Sequence, residues 1–316
     1  MPGPKIFVFS SVPKTEGDFP RLSALGKVSV VIGQKLSEEA TIELGKEAEI
    51  IVAGPSTIPK FSERLFSSLP SLKLVCTMTV GVGWLDLGAA KRRGVVVSNA
   101  KGANTESVAE HIWEMILDLS KRASEFWWDA RTKGACRFQE YKGREVYGKT
   151  IGIIGLGNIG TKVARIAGGF DMRVIGLNKS GRPVPGVELV TFEKLLKESD
   201  VIVLAVPTLE ETLGLIGERE ISEMKDGVIV VNCANEDIVN KDAIVAAVRS
   251  GKVFGYGVET DLMQPIPKED PYFTTPRIFA CPANAFNTSD SDRKILDVTA
   301  ENISGFLSGE PKNRVA

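Results

Sequence analysis

The chain has 316 residues, 43% of them hydrophobic and 25% charged, which is typical of a globular protein with room for about two domains. A formal net charge of −1 leaves no basic field that would attract nucleic acid or an anionic membrane. Four dispersed cysteines imply neither a disulfide framework nor a zinc site, and no apolar run suits a signal peptide or a membrane span, so we expect a soluble cytoplasmic protein.

The first hundred residues alternate between two kinds of segment. Apolar runs at 5–9, 28–32, 50–53, 73–76 and 95–98 predict short buried strands, and the segments 38–44, 61–69 and 85–93 predict helices between them. Strands that alternate with helices at this spacing are typical of βαβ units. We therefore expect a parallel sheet over residues 1 to about 100.

A long apolar helix is predicted to begin at Asn104 or Thr105. Val108, Ile112 and Ile116 recur at four-residue spacing, which predicts one broad buried face. Trp113 lies beside this face, and Phe126, Trp127 and Trp128 follow the helix. We expect these aromatic residues in a two-fold subunit interface; burial in the core or at a domain junction is the alternative.

Residues 149–182 carry the main motif. A predicted strand leads into Gly155-Leu156-Gly157-Asn158-Ile159-Gly160, and a helical pattern and a second strand follow. This is G-x-G-x-x-G in a strand, turn, helix and strand, the arrangement that binds dinucleotides. Gly155 would allow the turn, Gly157 would let the backbone approach a pyrophosphate, and Gly160 would let helix and strand pack closely.

The alternation resumes after this motif. Strands are predicted at 201–204, 228–231 and 253–258, separated by the segment 213–224 and by a helix at 241–250. The tail at 291–307 is predicted to be helical, and periodicity alone does not say where it packs.

Several further stretches resemble a known family. They are Thr79-Val80-Gly81-Val82 with Asp86, Asn99, Asn104-Thr105-Glu106-Ser107-Val108-Ala109-Glu110-His111, Gly148-Lys149-Thr150, the glycine motif within 152–160, Ser199-Asp200-Val201, Val206-Pro207 with Glu211-Thr212, Met224-Lys225-Asp226-Gly227 and Asp242-Ala243. In this order they resemble the D-2-hydroxyacid dehydrogenase family, which includes glyoxylate/hydroxypyruvate reductases and phosphoglycerate dehydrogenases.

The resemblance implies an α/β fold of two doubly wound parallel-sheet domains, Rossmann-like and flavodoxin-like, with a cleft between them. It implies a substrate domain of residues 1–100 plus 288–316 and a dinucleotide-binding domain of residues 101–287. It also implies an NAD(P)-dependent oxidoreductase, a small-molecule substrate and a homodimer built around the long helix.

The ribose position distinguishes the two nicotinamide cofactors. Members that prefer NAD place a carboxylate about twenty residues past the glycines. Here the position is Asn178, followed by Lys179, Ser180 and Arg182, so nothing there repels a 2′-phosphate and two cations could receive it. We favour NADP, with NAD as the alternative if this loop is only solvated.

The resemblance also implies a catalytic Arg, Glu and His, and all three differ here. The matching positions are Asn235, Leu262 and Ala283. Glu236 and Asp237 beside the lost Arg would either repel an anionic substrate or point to solvent. The only histidine, His111, lies where the family's histidine is helical scaffolding, so we expect neither a catalytic triad nor a metal site.

Other site residues come from the resemblance. It assigns substrate binding to Val80, Gly81 and Lys101, and it puts Lys101, Tyr256, Glu259 and Asp261 near the nicotinamide as candidate acids or bases. Asn235 could still donate a hydrogen bond to a carbonyl oxygen. The expected cofactor-binding set is Thr105, Gly155, Gly157, Asn158, Ile159, Gly160, Asn178, Lys179, Ser180, Val206, Pro207, Thr212, Cys233, Ala234, Asn235 and Glu259.

Two functions fit this pattern. The first is a reductase or dehydrogenase whose substrate and proton-transfer groups differ from those of the family. The second is a non-catalytic dinucleotide sensor or partner subunit. The intact glycines and the Val80-Gly81 loop favour the first, and the loss of all three catalytic groups favours the second.

Overall fold

The structure is a computed structural model, and it describes residues 3–12, 14–134, 137–260 and 268–316. The strands are β1 (Lys5–Ser10), β2 (Lys27–Ile32), β3 (Ile50–Ala53), β4 (Leu74–Thr77), β5 (Val96–Ser98), β6 (Thr150–Ile154), β7 (Arg173–Leu177), β8 (Glu188–Leu189), β9 (Val201–Leu204), β10 (Val228–Asn232), β11 (Val253–Thr260) and β12 (Ile278–Pro282). Most predicted strands agree to within one or two residues, whereas β8 and β12 were not predicted.

The helices predicted at 38–44, 61–69, 85–93, 241–250 and 291–307 also agree to within two residues, whereas only residues 218–223 of the segment 213–224 are helical. The helices are α1 (Pro20–Ser23), α2 (Glu38–Gly45), α3 (Glu63–Ser68), α4 (Leu87–Arg92), α5 (Thr105–Lys121), α6 (Ala123–Lys133), α7 (Asn158–Ala167), α8 (Phe192–Glu198), α9 (Glu218–Glu223), α10 (Lys241–Ser250), α11 (Pro271–Thr274) and α12 (Ser289–Leu307). Side-chain caps explain several starts: Ser37, Thr191 and Asn240 each accept a backbone N–H from the first turn of the helix that follows. None of the described helices is long and apolar enough to cross a membrane.

The chain forms two compact units, and the first comprises residues 1–104 and 288–316. Its five parallel strands lie in the order β2-β1-β3-β4-β5. The carboxyl-terminal helix α12 belongs to this unit, where Ala300 and Ile303 share a hydrophobic core with residues of β1 and β4. Asn302 on the same helix donates to the carbonyl of Asn99 at 2.9 Å, so the tail is fixed by polar as well as apolar contacts.

The second unit comprises residues 105–287 and contains the glycine motif. Its seven parallel strands lie in the order β12-β11-β10-β9-β6-β7-β8. The strand order reverses between β6 and β9, because the chain builds β7 and β8 on one side of β6 and β9 to β12 on the other. In open α/β sheets, ligands bind at the carboxyl ends of the strands at such a reversal.

The tryptophans of α5 and α6 divide between core and surface. Trp113 on α5 is buried, stacks on Phe170 and donates its indole N–H to the carbonyl of Val163 at 3.3 Å. The expectation that Trp113 belongs to a subunit interface is therefore wrong, because the chain's own core encloses it. Arg122, in the left-handed conformation, separates α5 from α6, where Trp127 and Trp128 are 57% and 60% exposed.

Candidate dinucleotide site

Two glycines of the motif are required by the fold itself. Gly155 follows β6 with a φ of +100°, and a Cβ there would lie 2.5 Å from the carbonyl oxygen of Ala205. A Cβ on Gly160 would lie 1.9 Å from the carbonyl oxygen of Gly155. Gly160 therefore allows α7 to pack against the turn that precedes it.

Gly157 differs from these two glycines. It caps the amino end of α7 with an ordinary negative φ, and a Cβ there would meet nothing within 4 Å. The protein alone therefore does not need glycine at this position. Because Gly157 has no side chain, a phosphate can approach the backbone closely beside the free N–H groups at the start of α7.

A groove of about 940 Å³ runs past this turn. Eight of the sixteen expected cofactor residues line it: Gly155, Gly157, Asn178, Lys179, Ser180, Val206, Pro207 and Thr212. The other eight do not line it: Thr105, Asn158, Ile159, Gly160, Cys233, Ala234, Asn235 and Glu259. Apolar residues that the sequence analysis did not single out also line the groove, including Leu177, Ala205, Leu209 and Leu215. Leu177 and Ala205 lie at or just after the carboxyl end of a strand, which is the signal that could have identified them, whereas Leu209 and Leu215 lie further along the segment after β9.

The loop after β7 is organised by Asn178. Its Nδ2 group donates to the carbonyl of Arg182 at 2.9 Å, and its Oδ1 accepts from Ser180 Oγ at 3.0 Å. Lys179 forms an exposed ion pair with Glu211 at 2.8 Å, so it is not the free cation that the sequence predicted. Glu211 also lines the groove, and such an exposed pair stabilises the protein by only about 0–1 kcal/mol.

The expected substrate loop follows β4 in the first unit. Its carbonyls are occupied, since Asn99 Nδ2 donates to Val80 O and Thr79 Oγ1 donates to Gly81 O, each at 2.8 Å. Within the described part of the chain, the N–H groups of Val80 and Gly81 make no hydrogen bond. Two adjacent free donors are suited to an oxyanion or carboxylate. Lys101 lies in the same unit and is exposed.

The structure describes two of the three positions that the resemblance matches to catalytic residues. Asn235 follows β10, and its Oδ1 accepts the N–H of Asp237 at 2.8 Å, which caps the 3₁₀ turn Glu236–Ile238. Ala283 follows β12 in the left-handed conformation, with a φ of +46°, and donates its N–H to the carbonyl of Thr260. Leu262 and Asp261 lie outside the described residues.

Tyr256 cannot serve as the acid or base that the sequence analysis allowed. It is fully buried in the core, and its hydroxyl oxygen lies 3.4 Å from Asn232 Nδ2. Burial raises the pKa of this hydroxyl well above the ordinary value. A buried phenol of this kind neither reaches a ligand nor ionises near neutral pH.

His111 lies between two carboxylates. Its ring is buried on α5, with Nδ1 3.0 Å from Glu114 Oε2 and Nε2 3.2 Å from Glu259 Oε2. Burial opposes the charged form, but the two carboxylates outweigh burial and raise the pKa of His111. Cys281 lies beside this pair, and the donor atoms of His111, Glu259 and Cys281 lie within 4.8 Å of one another.

The chain is similar to known proteins over most of its length. The NAD binding domain of the D-isomer specific 2-hydroxyacid dehydrogenase family matches residues 113–285. A glyoxylate reductase of Korarchaeum cryptofilum is 33% identical over 287 residues, which cover 88% of this chain and 86% of that protein. A D-3-phosphoglycerate dehydrogenase of Archaeoglobus fulgidus is 33% identical over 97% of this chain, but over only 58% of its own length.

A solved structure of a related protein has the same fold. The crystal structure of a glyoxylate reductase from Paecilomyes thermophila superimposes with a TM-score of 0.86 at 26% identity, covering 100% of this chain and 99% of that one. The two parallel sheets of five and seven strands are thus the two-domain α/β architecture that the sequence analysis predicted.

Proposed function

Because the chain belongs to the D-isomer specific 2-hydroxyacid dehydrogenase family, we propose that it transfers a hydride between a nicotinamide dinucleotide and a small carbonyl or hydroxy compound. In the direction of reduction, the hydride goes from the nicotinamide to the carbonyl carbon, and a proton is added to the oxygen. The main support for the proposal is the turn at Gly157, where the space beside the start of α7 is free for a phosphate.

We further propose that NADP is the preferred cofactor. No carboxylate occupies position 178, and the side chain of Arg182 lines the groove without an ion pair to any described residue. Lys179 is held only by its exposed pair with Glu211, which a 2′-phosphate could displace at small cost. Glu211 works against this preference, and its carboxylate is the reason to expect a moderate rather than an absolute selectivity.

The substrate and proton-transfer groups are proposed to differ from those of the family. Asn235 has no charge with which to hold a substrate anion, although its Nδ2 group has no partner among the described residues and could donate to a carbonyl oxygen. Ala283 has no proton to give. The free N–H groups of Val80 and Gly81 support a role for that loop in binding a substrate oxygen.

A non-catalytic sensor or partner subunit is the second candidate. The observation that favours it is the engagement of Asn235, whose side chain caps the turn after β10 in place of a catalytic arginine. In this case the protein would bind the dinucleotide through the same groove and perform no hydride transfer.

We also propose that the protein is a homodimer. Trp127 and Trp128 on α6 expose more than half of their side chains, with Phe126 beside them and Phe138 shortly after the helix. A contiguous patch of exposed apolar side chains is typical of an interaction surface.

A crystal structure of the protein with NADP⁺ and any molecule that co-purifies tests the catalytic proposal. An ordered small molecule against the nicotinamide, with a proton donor within about 3.2 Å of its oxygen, is the expected result. A bound dinucleotide with no molecule and no donor near the ring would favour the sensor instead.

A further inference from the structure

Three side chains of metal-ligand type meet outside the dinucleotide groove. His111 is on α5, Glu259 is the last residue but one of β11, and Cys281 is the last residue but one of β12. The Nε2, carboxylate and Sγ atoms of these residues all lie within 4.8 Å of one another. No sequence spacing joins them, and the sequence analysis therefore expected no metal site.

The strand register brings two of them together. In the parallel pair of β11 and β12, Glu259 lies directly opposite Cys281. Side chains on a strand alternate between its two faces, so Glu259 shares a face with Gly255 and Gly257. That face is covered by α5, because Cβ atoms on those glycines would lie 3.0 Å from Leu119 and 2.9 Å from Met115.

The helix then supplies the third ligand. Leu119 lies over Gly255 and Met115 lies over Gly257, so the helix runs opposite to β11. Four helical residues rise by about 6 Å, close to the roughly 6.6 Å covered by two strand residues. One further step of each places His111 over Glu259, where Nε2 and Oε2 are 3.2 Å apart. Because glycine at 255 and 257 lets the helix approach closely, the two groups meet.

The inner atoms of this cluster have no aligned hydrogen bond. His111 Nε2 and Glu259 Oε2 are buried and lack a hydrogen-bond partner within the described residues, although they lie close to each other. The His111 side chain is only 7% exposed, so water does not satisfy it from outside. A buried polar group without an aligned hydrogen bond is unfavourable, so a cation bound by both groups would satisfy them better than they satisfy each other.

The outer atoms, in contrast, are held. His111 Nδ1 lies 3.0 Å from Glu114 Oε2, and Glu259 Oε1 accepts the N–H of Ala285 at 2.9 Å. A histidine that binds a metal usually donates its other N–H to a carboxylate, and a ligating carboxylate is itself hydrogen-bonded. The cluster has both features.

We propose that His111, Glu259 and Cys281 bind one divalent cation of the zinc type. An imidazole, a carboxylate and a thiolate together suit zinc, whereas Mg²⁺ and Ca²⁺ prefer oxygen ligands alone. Tetrahedral bonds of about 2.0–2.3 Å separate ligand atoms by roughly 3.3–3.8 Å, so small side-chain shifts complete the site. Three protein ligands leave a fourth position open, as in zinc sites that bind water or a substrate.

Zinc uptake by the whole protein tests the proposal without nicotinamide cofactor or substrate, and so separately from the proposed function. Chelator-treated protein is equilibrated with ZnCl₂, desalted and analysed for metal, and affinity is measured by calorimetry. We expect one zinc per chain in the wild type. Cys281→Ala should lose at least about tenfold in affinity, since removal of even an outer contact to a ligand typically costs 10–100-fold.

The matched control is Cys76→Ala, which removes a buried thiol on β4 of the other unit. This variant should bind zinc like the wild type. If Cys281→Ala does not fold, Co²⁺ binding to the wild type decides, because a thiolate ligand gives a charge-transfer band in the near ultraviolet. Wild-type protein that retains no zinc and gives no such band would overturn the proposal, and the cluster would then be an ion pair of His111 with two carboxylates. Equal loss of zinc in both cysteine variants would overturn it as well.

Discussion

At the residue scale, three glycines of one motif have different reasons to be glycine. Gly155 needs a positive φ, and Gly160 has no space for a Cβ. Gly157 has open space around it, so its only constraint is the approach of a ligand. This difference can be measured directly.

We expect Gly157→Ala and Gly160→Ala to fail in different assays. Gly157→Ala should lower the free energy of unfolding by only about 0.5–1 kcal/mol, since alanine is a poorer N-cap than glycine but its methyl group has room. It should nevertheless weaken NADPH binding by about tenfold or more, because its methyl group occupies the phosphate's path. Gly160→Ala should destabilise the protein by about 2–3 kcal/mol, because a backbone oxygen would have to move. Thermal unfolding and NADPH titration of both variants check this, and equal effects on stability would contradict it.

Cofactor preference also depends on single residues. Wild-type protein should bind NADPH more tightly than NADH, and Asn178→Asp should reverse the order by placing a carboxylate against the 2′-phosphate. A change of about 1.4 kcal/mol corresponds to tenfold in affinity. Fluorescence titration with both cofactors measures the ratio of the two affinities. Asn178→Gln is the control, because it keeps the amide. A wild type that prefers NADH by tenfold would show that the loop has been misinterpreted.

At the element scale, the sequence predicted local patterns and missed long-range ones. The strand, turn and helix around Gly155 were predicted because apolar runs and glycine spacing are local signals. Helix α6 was not predicted, because Arg122, whose left-handed turn precedes it, is not a residue type that signals such a turn. The meeting of His111 with Glu259 was missed because it depends on how α5 lies over β11, and one sequence carries no record of that packing.

The predicted homodimer interface lies on helix α6. Because Trp113 is buried within the chain, substituting it would unfold the protein rather than probe an interface. Trp127→Glu together with Trp128→Glu should instead convert a dimer into monomers, since four charges would then face each other across a two-fold axis. Sedimentation at micromolar concentration measures this. Leu44→Glu, at another exposed apolar residue on α2, should leave the dimer intact. A wild type that sediments as a monomer would rule the dimer out.

At the scale of the whole molecule, the fold is that of the family, and we propose that the reacting groups differ. The two sheets and the glycine turn are those that the resemblance implied. The resemblance matches Asn235 and Ala283 to an arginine and a histidine, and the first is uncharged while the second is apolar. Restoring one of them should recover little activity, because groups that act as a unit are not additive. We expect only Asn235→Arg, Leu262→Glu and Ala283→His together to raise glyoxylate reduction, provided that Glu236 and Asp237 do not repel the substrate.

The proposal that the reacting groups differ from those of the family is tested by steady-state turnover. Glyoxylate, hydroxypyruvate and pyruvate are offered with NADPH, and 3-phosphoglycerate is offered with NADP⁺. The fluorescence of NADPH also reports whether the cofactor binds, so a misfolded preparation would be recognised by its failure to bind. We expect NADPH to bind, and turnover to stay below ~0.1 s⁻¹, because loss of the acid–base group alone costs ~10²–10⁴-fold against a typical ~10 s⁻¹. Turnover of any of these four acids near ~10 s⁻¹ would contradict the account and show that other residues hold the substrate and carry the proton.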